Sequence, residues 1–321
     1  MRLWLQKYLA DVLMLYLIVV LGIHFIIMKD AIREFSPITF NAVRFTLGAV
    51  VVGWLGWHNR QTMRMTWHDL RFLGIATLIG LVGYQVLFVT SLQFTTSTNT
   101  SLMVATMPTW TAILSVWAGQ IFPTRGFSLG LLLTLGGVTT VILSSGGNLA
   151  FSQQDVLGSL IALLGALLMA GFVVSTSHII NKYGGFSNAI YRHLFTTFGL
   201  LMLALPDLIT LKPVDFPISI LPNLFYSAFV AGLSGYFISN YAIKQLGAAR
   251  FATYNNFMPL VTAIAGILIL HEPFSLLLFL GGGMTLVGVA IVRITSHTQP
   301  SVPPLALPLN SHPKLCETGA D

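Results

Sequence analysis

Residues 107–113 read Met107-Pro108-Thr109-Trp110-Thr111-Ala112-Ile113, and residues 258–264 read Met258-Pro259-Leu260-Val261-Thr262-Ala263-Ile264. Five of these seven residues return unchanged 151 positions later. At the same offset Gly130 pairs with Gly281, Thr134 with Thr285, Leu135 with Leu286, Gly137 with Gly288, Val138 with Val289 and Val141 with Val292. That makes 11 identities in 35 ungapped positions, where chance gives roughly one in fifteen. Both copies lie in strongly apolar sequence. The chain is a duplicated membrane unit, and such duplications characterise secondary transporters.

Composition supports this class. Charged residues make up 8% of the 321 and hydrophobic residues 55%, against roughly 25% charged in a soluble domain. So few charges could not cover a water-soluble surface. The apolar stretches run for about 17–25 residues, the length of a spanning helix, and lack the short alternating segments of a membrane β-barrel. The fold class is all-α and polytopic. The net charge of +6 is spread between apolar segments, so it marks topology rather than a nucleic-acid surface. The one cysteine, Cys316, allows no intrachain disulfide. The amino-terminal apolar run has no small-x-small cleavage pattern and is expected to be a retained first helix.

Ten spans are expected, at 9–28, 37–57, 70–92, 99–121, 127–145, 156–180, 188–206, 223–243, 252–270 and 275–294. Residues 1–147 and 148–295 form the two five-helix repeats, and the proline-containing 296–321 a disordered cytoplasmic tail. With the amino terminus inside, eleven Lys and Arg fall on the cytoplasmic side and only Lys29, Arg33 and Lys212 outside, which places both termini in the cytoplasm. An odd number of spans per half makes the repeats inverted. Two inverted halves can exchange conformations and open one cavity to either side in turn.

Ionisable groups deep in a bilayer usually face a bundle interior or a wet cavity. None of the ten acidic residues falls well inside an expected span, so no carboxylate proton relay is available. His24 lies four-fifths along the first span, either packed against a neighbouring helix or lining a cavity. Arg44 sits about 10 Å into the second span, too deep to snorkel easily, and either ties down the hairpin or meets a solute. Arg192 is its counterpart in the seventh span, where snorkelling suffices; His193 beside it is expected on another face, in a structural role. His178 and Lys182 share one face near a cytoplasmic mouth.

Uncharged polar residues add a second layer of candidates: Tyr84 and Gln85 in the third span, Tyr236 and Asn240 in the eighth, and Asn99 and Asn255 before the two prolines. Trp110 could stack on a ligand or pack. The glycines at 130, 137, 281 and 288 permit close helix approach, within the chain or in a dimer, with the intrachain contact favoured. No His or Cys cluster suggests a metal, and no catalytic grouping suggests an enzyme.

Several local motifs are similar to a known family. Ser36-Pro37 with Arg44-Phe45, Ala242-Ile243-Lys244 with Leu246-Gly247-Ala248-Ala249-Arg250, and the mid-helix Pro108 and Pro259 together resemble the EamA domain of the drug/metabolite transporter superfamily, across about residues 9–294. That resemblance implies a central cavity lined by the first four helices of each half, with the fifth and tenth peripheral. Members of the family typically export amino acids, metabolites or toxic compounds. The family often closes each fourth helix with an acidic pair; His271-Glu272-Pro273 keeps it, whereas Ile121 stands at the equivalent place.

The expectation is therefore a carrier in the cell membrane, with a small-molecule solute and the lipid bilayer as partners. No cofactor, metal or nucleic acid is expected, and the state is monomer or homodimer. The expected solute-binding residues are His24, Arg44, Tyr84, Gln85, Asn99, Trp110, Tyr236, Asn240 and Asn255. A facilitator or channel for organic anions is the nearer rival, a membrane enzyme the more distant one.

Overall fold

The structure is a computed structural model of the 321-residue chain, and it describes residues 2–58, 65–120, 122–144, 152–210, 217–273 and 275–297. The break between the halves falls mostly outside these residues, as does the tail beyond 297. The described residues are helical with no strand. In chain order the helices are α1 (Arg2–Glu34), α2 (Pro37–His58), α3 (Trp67–Phe94), α4 (Ser97–Val104), α5 (Met107–Trp117), α6 (Arg125–Ser144), α7 (Gln153–Tyr183), α8 (Gly185–Thr210), α9 (Ile218–Gly247), α10 (Met258–Leu270) and α11 (Leu276–His297). Among the described residues, eight helices are long and apolar enough to cross a membrane, and α10 is a shorter apolar one.

Two departures from the expected spans matter. The first helix runs on to Glu34, so Lys29 is a helical residue rather than one beyond the helix end. The expected span at 99–121 is two helices, because a turn at Ala105 and Thr106 precedes Pro108. Proline has no N–H to give and clashes with the preceding turn, so the helix restarts with Pro108 in its first turn. The second half repeats the device, with a turn at Asn256 and Phe257 before Pro259.

The third helix of each half carries a wide, π-type turn, Thr77–Val82 in α3 and Tyr226–Leu233 in α9. Such segments are uncommon and gather at functional positions. Gly247, at φ 79°, bends the chain sharply after α9, an angle that glycine adopts without a Cβ clash.

The halves exchange their first helices. Helix α1 packs on α9 and α10 of the second half, and α7 packs on α3, α4 and α5 of the first. Helices α2 and α8 pair, and α6 pairs with α11. In this last pair the repeated glycines meet: a Cβ on Gly137 would lie 2.6 Å from the Gly281 carbonyl oxygen, and one on Gly130 would lie 2.9 Å from that of Gly288. Bare backbones in contact explain why the small residues recur.

Trp54, Trp57, Trp67 and Trp117 are all well exposed and cluster at the end where α2 and α5 stop and α3 starts. Amphipathic rings prefer the membrane–water boundary. At the opposite end, Phe25, Met28, Ile32, Phe40, Phe88 and Leu92 pack with Ile220 and Leu224 into a closed apolar core. Phe25 and Phe88 meet edge to face there, with ring centroids 5.2 Å apart.

Candidate functional site

Between that core and the tryptophan-bearing end lies a cavity of about 640 Å³, within the usual range for small-molecule sites. Both halves line it. Helix α1 contributes Leu21, His24 and Phe25, α2 contributes Arg44, Phe45, Gly48 and Val52, and α3 contributes Tyr84, Gln85 and Phe88. From the second half come Ala189, Arg192 and His193 on α8 and a long strip of α9 from Ser227 to Ile243. Asn255, Asn256, Met258 and Arg293 close the wall.

Depth follows from helix geometry. At 1.5 Å per residue, Arg192 stands only about 10 Å from the start of α8, whereas Tyr84 stands about 25 Å along α3. Those two helices begin at the same end of the molecule. The cavity therefore occupies the half of the molecule nearer the tryptophans, and the core around Phe25 and Phe40 seals the other half.

Arg44 organises the floor. Its Nε donates to Asn41 Oδ1 at 2.6 Å, one turn back on α2. Its Nη2 donates to Gln85 Oε1 at 3.0 Å, and its Nη1 lies 3.2 Å from His24 Nε2. Asn41 Nδ2 in turn faces the Gln85 backbone and side-chain oxygens at 3.3 and 3.4 Å. Three helices thus hold the guanidinium of Arg44, a residue only 8% exposed. A buried charge is tolerable when hydrogen bonds replace its water.

Every one of Arg44's partners is neutral, so the positive charge is hydrogen-bonded but not neutralised. Arg192 and Arg293 face the same space, and among the described residues no carboxylate lines it. Arg293 donates to Asn256 Oδ1 at 3.3 Å. The surrounding apolar and aromatic residues, Phe25, Phe45, Phe88, Val104 and Met107, lower the effective dielectric and strengthen this positive field.

Of the nine expected site residues, His24, Arg44, Tyr84, Gln85, Tyr236 and Asn255 line this one cavity. The π-type turns stop just short of Tyr84 and Tyr236, so the two tyrosines occupy matching places in the two halves. Asn99 does not line it: the residue is buried and its Nδ2 donates to Thr95 Oγ1 at 3.0 Å. Nor does Trp110, whose indole N–H is buried without a hydrogen-bond partner among the described residues. Asn240 belongs to the helix, but its side chain lies outside the described residues.

Other expectations shift. His193, expected on a different face from Arg192, lines the cavity beside it, with Nε2 3.2 Å from the Phe45 carbonyl oxygen. Adjacent helical residues diverge by about 100°, but α8 enters the cavity wall broadly enough to present both. His178 instead sits 2.9 Å from the Ser175 carbonyl oxygen on its own helix, and Lys182 pairs with Asp69 at 2.7 Å. Asn41 escaped notice, although its position one turn before a deep arginine was a usable signal. The π-type turns leave no sequence signature that we recognise.

At the sealed end, Glu272 binds the start of α4. Its Oε1 accepts from the Ser97 amide at 2.7 Å and from the Ser97 hydroxyl; Oε2 accepts from the Thr98 hydroxyl at 2.8 Å. Lys29 Nζ approaches the same carboxylate at 3.6 Å and donates to the Thr95 carbonyl oxygen at 2.7 Å. His271 at φ 53° turns the chain so that Glu272 can point inward.

The chain matches the EamA-like transporter family twice, over residues 8–143 and 156–294. It is 25% identical over 276 residues to an uncharacterised transporter of Archaeoglobus fulgidus, covering 85% of this chain and 93% of that one. It is also 25% identical over 287 residues to the uncharacterised transporter YyaM of Bacillus subtilis, covering 86% and 92%. A solved crystal structure of a protein overlays with a TM-score of 0.61 at 15% identity, over 91% of this chain and 98% of that one, a likeness of fold alone. With one family match in each half and a cavity between them, this multi-pass membrane protein belongs to the EamA-like transporter family.

Proposed function

We propose that the protein is a secondary carrier that exports a small organic solute, an amino acid or related metabolite, by alternating access. One observation carries this reading: both halves line a single cavity that is sealed by packed side chains at one end only. Inverted repeats around a midplane site are the usual architecture for moving such a seal from one end to the other. The solute site on this reading includes His24, Arg44, Tyr84, Gln85, Tyr236 and Asn255. Ten spans with both termini in the cytoplasm fit the lysine and arginine distribution and make the open end cytoplasmic.

A facilitator of the same solute would share all of this geometry. An enzyme finds less support, because among the described residues the cavity wall offers no carboxylate pair to act as acid and base. The test is purified protein in liposomes, assayed with a panel of radiolabelled amino acids. A carrier shows saturable uptake and counterflow of the intact solute, and Arg44→Ala abolishes both. Solute emerging chemically changed, or flux that never saturates, would overturn the reading.

A further inference from the structure

The contact between Arg44 and His24 has a chemical consequence. Guanidinium nitrogens only donate, so the 3.2 Å approach of Nη1 to His24 Nε2 requires that Nε2 carry no proton. His24 is the neutral imidazole in this state. Protonating it would set two cations against each other in a site with low effective dielectric.

The neighbours offer no relief. Among titratable groups on the helices packed against α1, Arg44 on α2 touches His24, Tyr84 on α3 and Tyr236 on α9 line the same cavity, and Tyr226 also stands on α9. Helices α4 and α10 contribute nothing titratable. Across the cavity stand Arg192 and His193 on α8, and Arg293 on α11. Tyr226 is committed to the Val20 carbonyl oxygen at 2.9 Å. Further along α1, Lys29 and Glu272 neutralise each other at the sealed end. Among the described residues, every charged group lining the cavity is cationic.

Arg44 still has capacity. Of its five N–H groups, one goes to Asn41, one to His24 and one to Gln85. One N–H on each terminal nitrogen is left over, and such a fork suits a carboxylate.

We propose that this site binds an organic monoanion, a carboxylate on an apolar or aromatic body, together with one proton on His24. This rests on the carrier reading above and narrows its solute to the related metabolites, monocarboxylates that lack the ammonium group of an amino acid. The carboxylate accepts from Arg44, and its single negative charge offsets the one positive charge added at His24, so the site keeps the net charge it has when empty. The proton comes from bulk water, and no covalent bond is made or broken. Anion and proton move together, so each loaded crossing carries no net charge beyond that of the empty carrier. Export then runs down the combined gradient of acid and proton, independent of membrane potential.

The experiment is calorimetric titration of the detergent-purified protein with benzoate and with its neutral isostere benzamide, in two buffers of different ionisation heat. Benzoate binding takes up roughly one proton. Its affinity rises by up to about tenfold for each unit fall in pH across the histidine range. His24→Gln keeps an acceptor for Arg44 but cannot take a proton, so it binds benzoate without proton uptake. Uptake that persists in His24→Gln overturns the proposal, and so does benzoate binding no tighter than benzamide. If that variant is unstable, the wild-type pH series decides: a pH-independent affinity rejects the linkage. Binding in detergent needs no transport cycle, so failure here is distinct from failure of counterflow in liposomes.

Discussion

Glu272 Oε1 accepts a hydrogen bond from the Ser97 backbone amide at 2.7 Å, across 175 positions of sequence. The contact ties the end of the second half's fourth helix to the start of the first half's fourth helix, at the sealed end. Burial pushes the Glu272 carboxyl up, but the donors on Ser97 and Thr98 and the charge of Lys29 outweigh it and hold the group below its ordinary value. A depressed folded value means the stabilisation is present above the ordinary carboxylate range and is lost as pH falls through the depressed value.

Glu272→Ala should therefore destabilise the protein by about 3 kcal/mol, since Ser97, Thr98 and Lys29 lose their acceptor together. Glu272→Gln should cost less. Thermal unfolding in detergent checks both. The gap in melting temperature between wild type and Glu272→Gln is expected to be widest at neutral pH and to close below about pH 4. A gap that is constant with pH would show that the charge is irrelevant.

Asn41 aims Arg44 without itself lining the cavity. Asn41→Ala removes the 2.6 Å acceptor of Nε, a hydrogen bond to a charged group worth about 1.5–3 kcal/mol. Counterflow in liposomes should slow by about tenfold or more. Normal counterflow in this variant would mean Arg44 holds its position without help.

The glycine seam between α6 and α11 gives a sharper contrast. A Cβ on Gly137 would lie 2.5 Å from the Thr285 amide nitrogen, whereas one on Gly283 meets nothing within 4 Å. Gly137→Leu should cost about 3 kcal/mol or more by forcing the helices apart. Gly283→Ala should stay within about 0.5 kcal/mol of wild type. Melting temperatures of the two purified variants test the pair, and equal values would contradict the packing.

Topology is open to labelling. On a Cys316→Ser background, single cysteines replacing Thr124 and Ser275 should react with an impermeant maleimide from opposite sides of the membrane. Reaction of both from one side would be incompatible with inverted halves.

Much of the architecture was legible in sequence because duplication and hydropathy each act locally or along one helix. The recurring glycines announced a close helix pair, whereas the breaks before Pro108 and Pro259 fall inside spans expected to run unbroken. Depth along a helix was equally readable, which is why Arg44 and His24 stood out. Direction around the helix was not. Asn99 and Trp110 have the composition of cavity residues, yet Asn99 is buried beside Thr95 and the half-buried Trp110 lies off the cavity, while His193, expected to be structural, faces it. A fully apolar helix carries too weak an amphipathic pattern to tell its lipid face from its protein face.

From its residues alone, the chain determines that it is a duplicated all-helical membrane protein with a deep arginine and no carboxylate well inside an expected span. Only the tertiary structure decides that Arg44 meets His24, Asn41 and Gln85 at one point. Those residues come from three helices whose mutual rotation and exchange between halves depend on side-chain packing across the whole bundle. Packing is a property of many residues acting together, and no single stretch of sequence encodes it.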